Sequence, residues 1–537
     1  MTDQESHLHP LHSLVRQPAH AVGLPPLPPL SVIALNRMAF GPRPGDLAAF
    51  DALPGATAAD RLQAYVDQQL NPAAIDDSDC NARIASANLP TLSKTLIQLW
   101  SDHYLNINGD YNLRVQPIAE VRAATLLRAV YSKRQLVEVL ADFWHNHFNV
   151  NGWDYEYASA TFAQYDRDVI RGHLLGNFRQ MLEAVGASTA MLFYLNNYTN
   201  SNAGPNENYA REMFELHTMG AENYLGVLDP TLVPKDGQGR PTGYVDNDVY
   251  EAARCFTGWR VNDDANEAGV QDTGTFLYYS AWHDRFNKFV LSTYLAHDQA
   301  DMKDGRDVYD LVAAHPGTGR YIARKLCRRL ISDDPPQSVV DAAASVFTAQ
   351  KDAPDQLKQV VRTILLSSEF QSTWGQKIKR PFEVAVSMLR AIDMDFTALP
   401  DDFFWNYDQM GQPLFEHHAP NGYPDVKDDW DGTMSILKRW SLANAFIEGW
   451  IASDTITLSV DLLSQMPVNV TTPNQIADFW IGRILGRPMV PESSRTELVS
   501  FVAQGRNPDY DLPAGQRADL VPRMVALILM SPDFQWR

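Results

Sequence analysis

Cysteine is scarce in this 537-residue chain, which contains only Cys80, Cys255 and Cys327. Their odd number and wide spacing exclude a disulfide framework and a CxxC metal motif. Cys327 lies on the apolar side of its predicted helix, so we expect a small core residue there. The cysteines leave the cellular compartment open.

Long apolar runs are missing as well. No stretch approaches the roughly 18 hydrophobic residues that a transmembrane helix needs, so the sequence predicts no membrane-spanning segment. Residues 1–21 are polar and rich in histidine, and four prolines interrupt the apolar stretch that follows. This pattern does not predict a signal peptide.

Basic residues are outnumbered by acidic ones, 45 to 65, giving a formal net charge of -20. Such an excess argues against a nucleic-acid partner, because binding phosphates requires concentrated Lys and Arg. The densest basic segment places Arg320, Arg324 and Arg328 along one helix face. We interpret this face as solvated and paired with carboxylates, with anion binding as the alternative.

Several familiar catalytic motifs do not occur. The chain has no P-loop, no GxGxxG motif after a strand, no GxSxG elbow and no HExxH motif. Their absence disfavours nucleotide-driven, dinucleotide-dependent, serine-hydrolase and zincin mechanisms.

What the chain does contain is mostly helical periodicity. Apolar residues recur at helical spacing in residues 58–70, 117–131, 132–148, 178–195 and 206–219, which predicts a mainly α-helical, multi-helix protein. Residues 224–295 are richer in turn-forming residues. There we expect a small β-hairpin of residues 275–279 against 288–291, with a helix at residues 246–256 interrupting the region.

These patterns divide the chain into four regions. We predict a mobile N-terminal tail (1–30), an N-terminal helical lobe (31–223), the hairpin-containing insertion (224–295) and a C-terminal helical lobe (296–537). The last lobe contains an internal echo, since residues 364–371 (ILLSSEFQ) resemble residues 528–535 (ILMSPDFQ). A duplicated helical unit would explain this, and chance similarity between amphipathic helices is the alternative.

One histidine stands on an apolar helix face. His147 shares an arc with Leu136, Leu140, Phe143 and Trp144, whereas His145 points the opposite way, so a regular helix cannot present both to one ion. A histidine in an apolar stripe must be neutral and hydrogen-bonded, or must bind a metal.

Residues 206–220 are the richest in polar side chains. Glu207, Arg211 and Glu215 are spaced as an intrahelical ion-pair ladder, which indicates a structural role. On the other side His217 shares an apolar arc with Tyr209, Met213 and Leu216, and Glu212 lies at its edge. Together with His147, Glu212 and His217 would form a ligand set for one transition-metal ion, zinc, iron or manganese. A purely structural role is the alternative.

A further cluster lies in the turn of the expected hairpin. His283 is a candidate general acid/base or fourth ligand, and Asp284 is a candidate for orienting it. The alternative is that Asp284 only forms the turn.

Several motifs together resemble a bacterial family known as domain of unknown function 1800. They include residues 35–42 (LNRMAFGP), 143–148 (FWHNHF), 206–212 (NENYARE), 379–383 (KRPFE) and 411–416 (GQPLFE), with Asp248, the segment 257–259 and the pair His283 and Asp284. The resemblance implies a largely helical, often exported protein that is often encoded beside a sulfatase-like family, and it supplies no reaction. The chain departs from the pattern at its N-terminus and at residues 285–287, where RFN replaces a glycine-containing turn.

Two functions remain open from the sequence. The first is a metal-dependent enzyme, redox or hydrolytic, with a buried site formed by His147, Glu212 and His217. The second is a non-catalytic exported protein, periplasmic or extracellular, that binds a partner such as a sulfatase-like protein.

Overall fold

The structure is a computed structural model that describes residues 25–153, 155–264, 271–399, 401–452 and 458–537. Most of the tail predicted for residues 1–30 lies outside these ranges. The first helix begins at Leu30.

The first half of the chain is a series of helices, as predicted. They are α1 Leu30–Arg37, α2 Asp46–Asp51, α3 Ala58–Gln69, α4 Ser78–Ser86, α5 Leu96–Trp100, α6 Tyr111–Tyr131, α7 Gln135–His147, α8 Glu156–Gln164, α9 Arg171–His173, α10 Phe178–Gly186, α11 Thr189–Tyr194, α12 Asn208–Glu212 and α13 Asp246–Cys255. Local signals set their starts: Thr57 and Asp60 form a capping box at α3, because a hydroxyl there satisfies a free backbone N–H group. The segment expected as one helix over residues 178–195 is two helices, since Ser188 caps a new start by accepting from Met191 N.

Three short segments have π-helical hydrogen bonding: Ser101–Leu105, Tyr165–Ile170 and Met213–His217. The last of these continues α12, so the helix expected over residues 206–219 changes its pitch after Glu212. A π-helical turn rotates the side chains that follow it relative to a regular α-helix.

The described residues of the insertion form two small antiparallel sheets. Strand β1 Trp259–Val261 pairs with β2 Phe276–Tyr278, with Arg260 opposite Leu277, and β3 Lys288–Val290 pairs with β4 Thr293–Leu295. The expected pairing of residues 275–279 with 288–291 is therefore wrong. Strand β2 pairs with the preceding strand β1, and β3 pairs with the following strand β4. The helix expected within this region is confirmed as α13.

The second half is again helical. Its elements are α14 Lys303–Ala313, α15 Pro316–Leu330, α16 Gln337–Ala349, α17 Gln356–Leu365, α18 Ser368–Ser372, α19 Pro381–Ala391, α20 Asp401–Asp408, α21 Thr433–Glu448, α22 Pro473–Leu485, α23 Glu492–Ala503, α24 Ala514–Met530 and α25 Pro532–Gln535. None of the helices in the described ranges is long and apolar enough to cross a membrane.

The two segments with similar sequence have the same order of helices. In each, three helices pack on one another and a short helix follows: α15, α16 and α17 precede α18, and α22, α23 and α24 precede α25. Phe370 and Phe534, which occupy equivalent positions in the two similar segments, are both buried. The internal repeat itself stays a prediction.

One continuous set of buried hydrophobic residues includes members of all three predicted regions after the tail. All three cysteines are buried and unpaired, and Cys327 is a core residue as expected. Beside this core lies a buried ionic network, in which Glu383 accepts from Arg329 and Arg537 while Asp142 accepts from Arg329 and Arg380.

Candidate functional site

The structure brings His147 and His217 together. His147 ends α7 and His217 ends the π-helical segment, and their ring centroids are 6.2 Å apart. His147 Nε2 donates to the carbonyl oxygen of His217 over 3.1 Å. Three ring nitrogens, His147 Nδ1 and both of His217, are buried without a hydrogen-bond partner among the described residues. Such unpaired buried polar atoms are uncommon in folded proteins.

Both imidazoles are neutral near pH 7. Burial, together with the charges of Lys325 and His217, holds the pKa of His147 well below its usual value. Burial and Lys325 lower the pKa of His217 to about 3. Neutral rings of this kind can accept a proton or bind a cation through a free nitrogen.

Glu212 does not share the contacts of these two histidines. Its side chain is half-buried, and burial together with Glu215 raises its pKa. The π-helical turn between Glu212 and His217 breaks the regular spacing from which a shared face was predicted. Across the ranges that the structure covers, no three His, Cys, Asp or Glu side chains are placed to hold one metal ion.

A cavity of about 460 Å³ extends from the surface to His147. Its floor includes the buried side chains of His147, Arg329 and Arg380, whereas Asn421 and Asp429 are exposed at its mouth. The remaining lining residues are Phe143, Asn146, Tyr321, Lys325, Arg328, His417, Gly422, Tyr423, Pro424 and Asp425. The volume is in the range of small-molecule sites.

Lys325 is the unusual member of this lining. It is half-buried, and its ammonium lies 5.4 Å from the centre of the Tyr321 ring. No carboxylate in the described ranges forms an ion pair with it. Burial lowers the pKa of Lys325 to about 8; the charge of Arg328 acts in the same direction, whereas those of Asp425 and Glu222 oppose it.

Arg328 adds a second cation to the wall. Its Nε donates to the backbone oxygen of Asp333 over 3.0 Å, and no described residue accepts from its terminal amino groups. Lys325 and Arg328 are one helical turn apart on α15, so both present positive charge to the same cavity. The basic face that was expected to be solvated therefore has two parts. Arg324 pairs with Glu222 at 2.8 Å, whereas Arg328 lines the cavity.

His145 belongs to a different set of contacts. Its Nε2 lies 2.9 Å from Asp166 Oδ1, and Arg171 donates to the same carboxylate. The prediction that His145 and His147 face apart holds, although both are buried.

The polar cluster in the insertion is assembled from more distant residues than expected. His283 Nδ1 lies 2.9 Å from the backbone carbonyl oxygen of Thr257, and His283 Nε2 lies 3.1 Å from Asp304 Oδ2. Asp284 instead accepts from Arg254 at 2.8 Å. The carboxylate that orients His283 is therefore Asp304, which also accepts from Lys288.

Sequence reasoning missed Lys325 and Asp304. Lys325 lies at the edge of the apolar face of α15 that Ile322 and Leu326 form. Its position in the sequence could therefore have predicted that its side chain is partly buried. The contact of Asp304 with His283 could not be predicted in this way, because it joins residues from two separate elements.

The profile of a family described as protein of unknown function (DUF1800) matches residues 33–536. The chain belongs to this family. The match includes His147, His217, Lys325 and the whole cavity lining of the DUF1800 protein. No curated protein and no solved structure matches the chain.

Proposed function

We propose that this DUF1800 protein is an enzyme that acts on a small anionic molecule in the cavity beside His147. The observation that carries the proposal is the placement of Lys325, a half-buried amine without an ion-pair partner among the described residues, in the same cavity as Arg328 and His147. Cationic groups held in a concave site attract and orient an anion.

The same groups supply reactivity. A lysine with a pKa of about 8 is partly neutral near pH 7, so Lys325 serves as a base or nucleophile. His147 presents a neutral ring whose Nδ1 has no partner in the described ranges, which leaves this nitrogen free to accept a hydrogen bond. The guanidinium of Arg328 holds the anionic group of the substrate.

Calorimetric titration with lactate and with phosphate tests the anion site. We expect Lys325→Met and Arg328→Gln each to weaken binding about 10- to 100-fold, since each removes a charge-assisted hydrogen bond. Lys351→Gln is the matched control, because the Lys351 side chain is 47% exposed and outside the cavity. Equal affinity in all four proteins, or no binding by the wild type, would contradict the proposal.

A metal-dependent enzyme is the second candidate, in a narrower form than expected from the sequence. The specific observation is the pair of neutral imidazoles, His147 and His217, with three unpaired nitrogens. Two imidazoles with water in the open positions would suit zinc, iron or manganese. Glu212 would have to move to join them.

Elemental analysis of protein purified without an affinity tag tests this candidate. A bound ion should be present near one per chain and should be lost in His147→Ala and in His217→Ala. His297→Ala should retain it, since the His297 side chain is 69% exposed. Finding no ion after reconstitution would refute the metal candidate while leaving the anion site intact.

The non-catalytic alternative, an exported protein with a sulfatase-like partner, rests on family resemblance alone and stays a prediction. A purified sulfatase-like protein that binds the chain with equal affinity in wild type and Lys325→Met would favour it.

A further inference from the structure

The cavity lysine differs in its surroundings from the three fully buried lysines of the described ranges. Lys288 lies 2.5 Å from Asp304 and Lys377 lies 2.8 Å from Asp333, so both pair with carboxylates. Lys379, whose pKa burial lowers to about 7, lies over the ring of Phe534 and does not line the cavity. Lys325 instead faces the ring of Tyr321 and opens into the cavity. It is accessible to a small molecule and is not held by a carboxylate of the described residues.

The surroundings of Lys325 suit a nucleophilic amine. Desolvation and a second cation are the two conditions that favour the neutral form of a lysine. Both are present, since Lys325 is half-buried and Arg328 lies one turn further along α15. Burial is the larger effect and outweighs the opposing charges of Asp425 and Glu222. The Tyr321 ring face in turn attracts a cation that forms on this nitrogen.

We propose that Lys325 forms an imine with the carbonyl carbon of a small oxo acid whose carboxylate is bound by Arg328. This inference rests on the proposed function, because it names the substrate class and the covalent step of the same cavity. A compound of a few carbon atoms fits the volume of about 460 Å³.

The covalent step is balanced without any further reactant. The neutral amine of Lys325 attacks the carbonyl carbon, so a carbon–nitrogen bond forms and the carbonyl electrons move to oxygen. The nitrogen then loses its two hydrogens, the oxygen departs with them as water, and a carbon–nitrogen double bond remains.

Reductive trapping tests this directly. The intact protein is incubated with pyruvate and borohydride, and the modified residue is located by peptide mass spectrometry. We expect one reduced pyruvate adduct on Lys325, formed on the order of tenfold faster than the adduct with uncharged acetone, because Arg328 binds the carboxylate.

Two variants keep the outcome clear. Lys325→Arg retains the charge and much of the side-chain volume but cannot form the imine, so the adduct should vanish while circular dichroism confirms folding. Lys351→Arg, at an exposed lysine, should leave the Lys325 adduct unchanged.

The outcomes also separate this inference from the proposed function. If lactate binds through Lys325 and Arg328 but pyruvate is not trapped on Lys325, the imine is refuted and the anion site stands. If neither lactate binding nor trapping is found, both fail. Trapping spread over exposed lysines, with Lys325 no faster than the others, likewise overturns the imine.

Discussion

Replacing Glu383 by Gln removes the central negative charge of the buried ionic network while keeping the shape of the side chain. Glu383 is almost fully buried, accepts from Arg329 and from Arg537 at 2.7 Å, and accepts from the backbone N–H of Arg380 at 2.9 Å. Burial opposes its ionisation, yet the three arginines hold the pKa of Glu383 well below its usual value. The variant therefore leaves buried guanidinium groups without this counter-charge.

The expected loss follows from these contacts. Breaking a buried ion pair by removing one partner costs about 3 to 5 kcal/mol. The entropy of unfolding is about 2.1 cal/mol/K per residue, which for a chain of this length gives about 1.1 kcal/mol/K. The melting temperature of Glu383→Gln should thus fall by about 3 to 4 °C.

Thermal unfolding followed by circular dichroism measures this shift. The matched control is Glu497→Gln, because Glu497 is exposed on α23 and its replacement should change the free energy of unfolding by less than about 0.5 kcal/mol. A shift for Glu383→Gln no larger than that of the control would refute the interpretation of the network.

The pH dependence of the same variant has a definite sign. A carboxyl with a lowered folded pKa contributes stability above its unfolded pKa, about 4.3, and this contribution is lost as the pH falls through the folded value. The difference between wild type and Glu383→Gln should therefore be constant near pH 7 and shrink below about pH 4. A difference that grows in acid would contradict the lowered pKa of Glu383.

Two further substitutions test the cavity loop and the insertion. Gly422 has a φ of +72°, and an added Cβ would lie 2.1 Å from Asn146 O, so Gly422→Ala should weaken lactate binding measured by calorimetry. Gly432→Ala, where a Cβ meets no atom within 4 Å, should leave that binding unchanged. Asp304→Asn removes the carboxylate that pairs with buried Lys288, so it should lower the free energy of unfolding by about 3 kcal/mol, measured by urea denaturation. An unchanged urea midpoint would show that the pair is not needed for stability.

Much of the helical architecture could be predicted from the sequence, because helical periodicity is a local signal. The helix expected at residues 58–70 is observed as Ala58–Gln69, and the one at residues 246–256 as Asp246–Cys255. Strand pairing could not be predicted as well. Each strand here has three residues, which is too few for alternation to specify a partner.

The candidate site could be predicted from the sequence only in part. The apolar face of α7 correctly marked His147 as buried, and His217 is buried as well. The π-helical turn after Glu212 could not be inferred, and it removed the regular geometry on which a three-ligand set depended. The pKa of Lys325 is lowered by burial against other elements and by the charge of Arg328. Both effects arise only in the folded chain, so the sequence could not predict this lowered pKa.

The contacts of Arg537 determine when the interior of this protein can be completed. Its guanidinium donates to the backbone oxygens of Asn36 at 3.4 Å and Arg329 at 3.1 Å, as well as to Glu383. These contacts join positions 501 and 208 residues apart. During synthesis these contacts can form only once residue 537 has been made, so the backbone oxygen of Asn36 and the carboxylate of Glu383 gain this arginine late in folding, as expected for contacts between residues far apart in sequence.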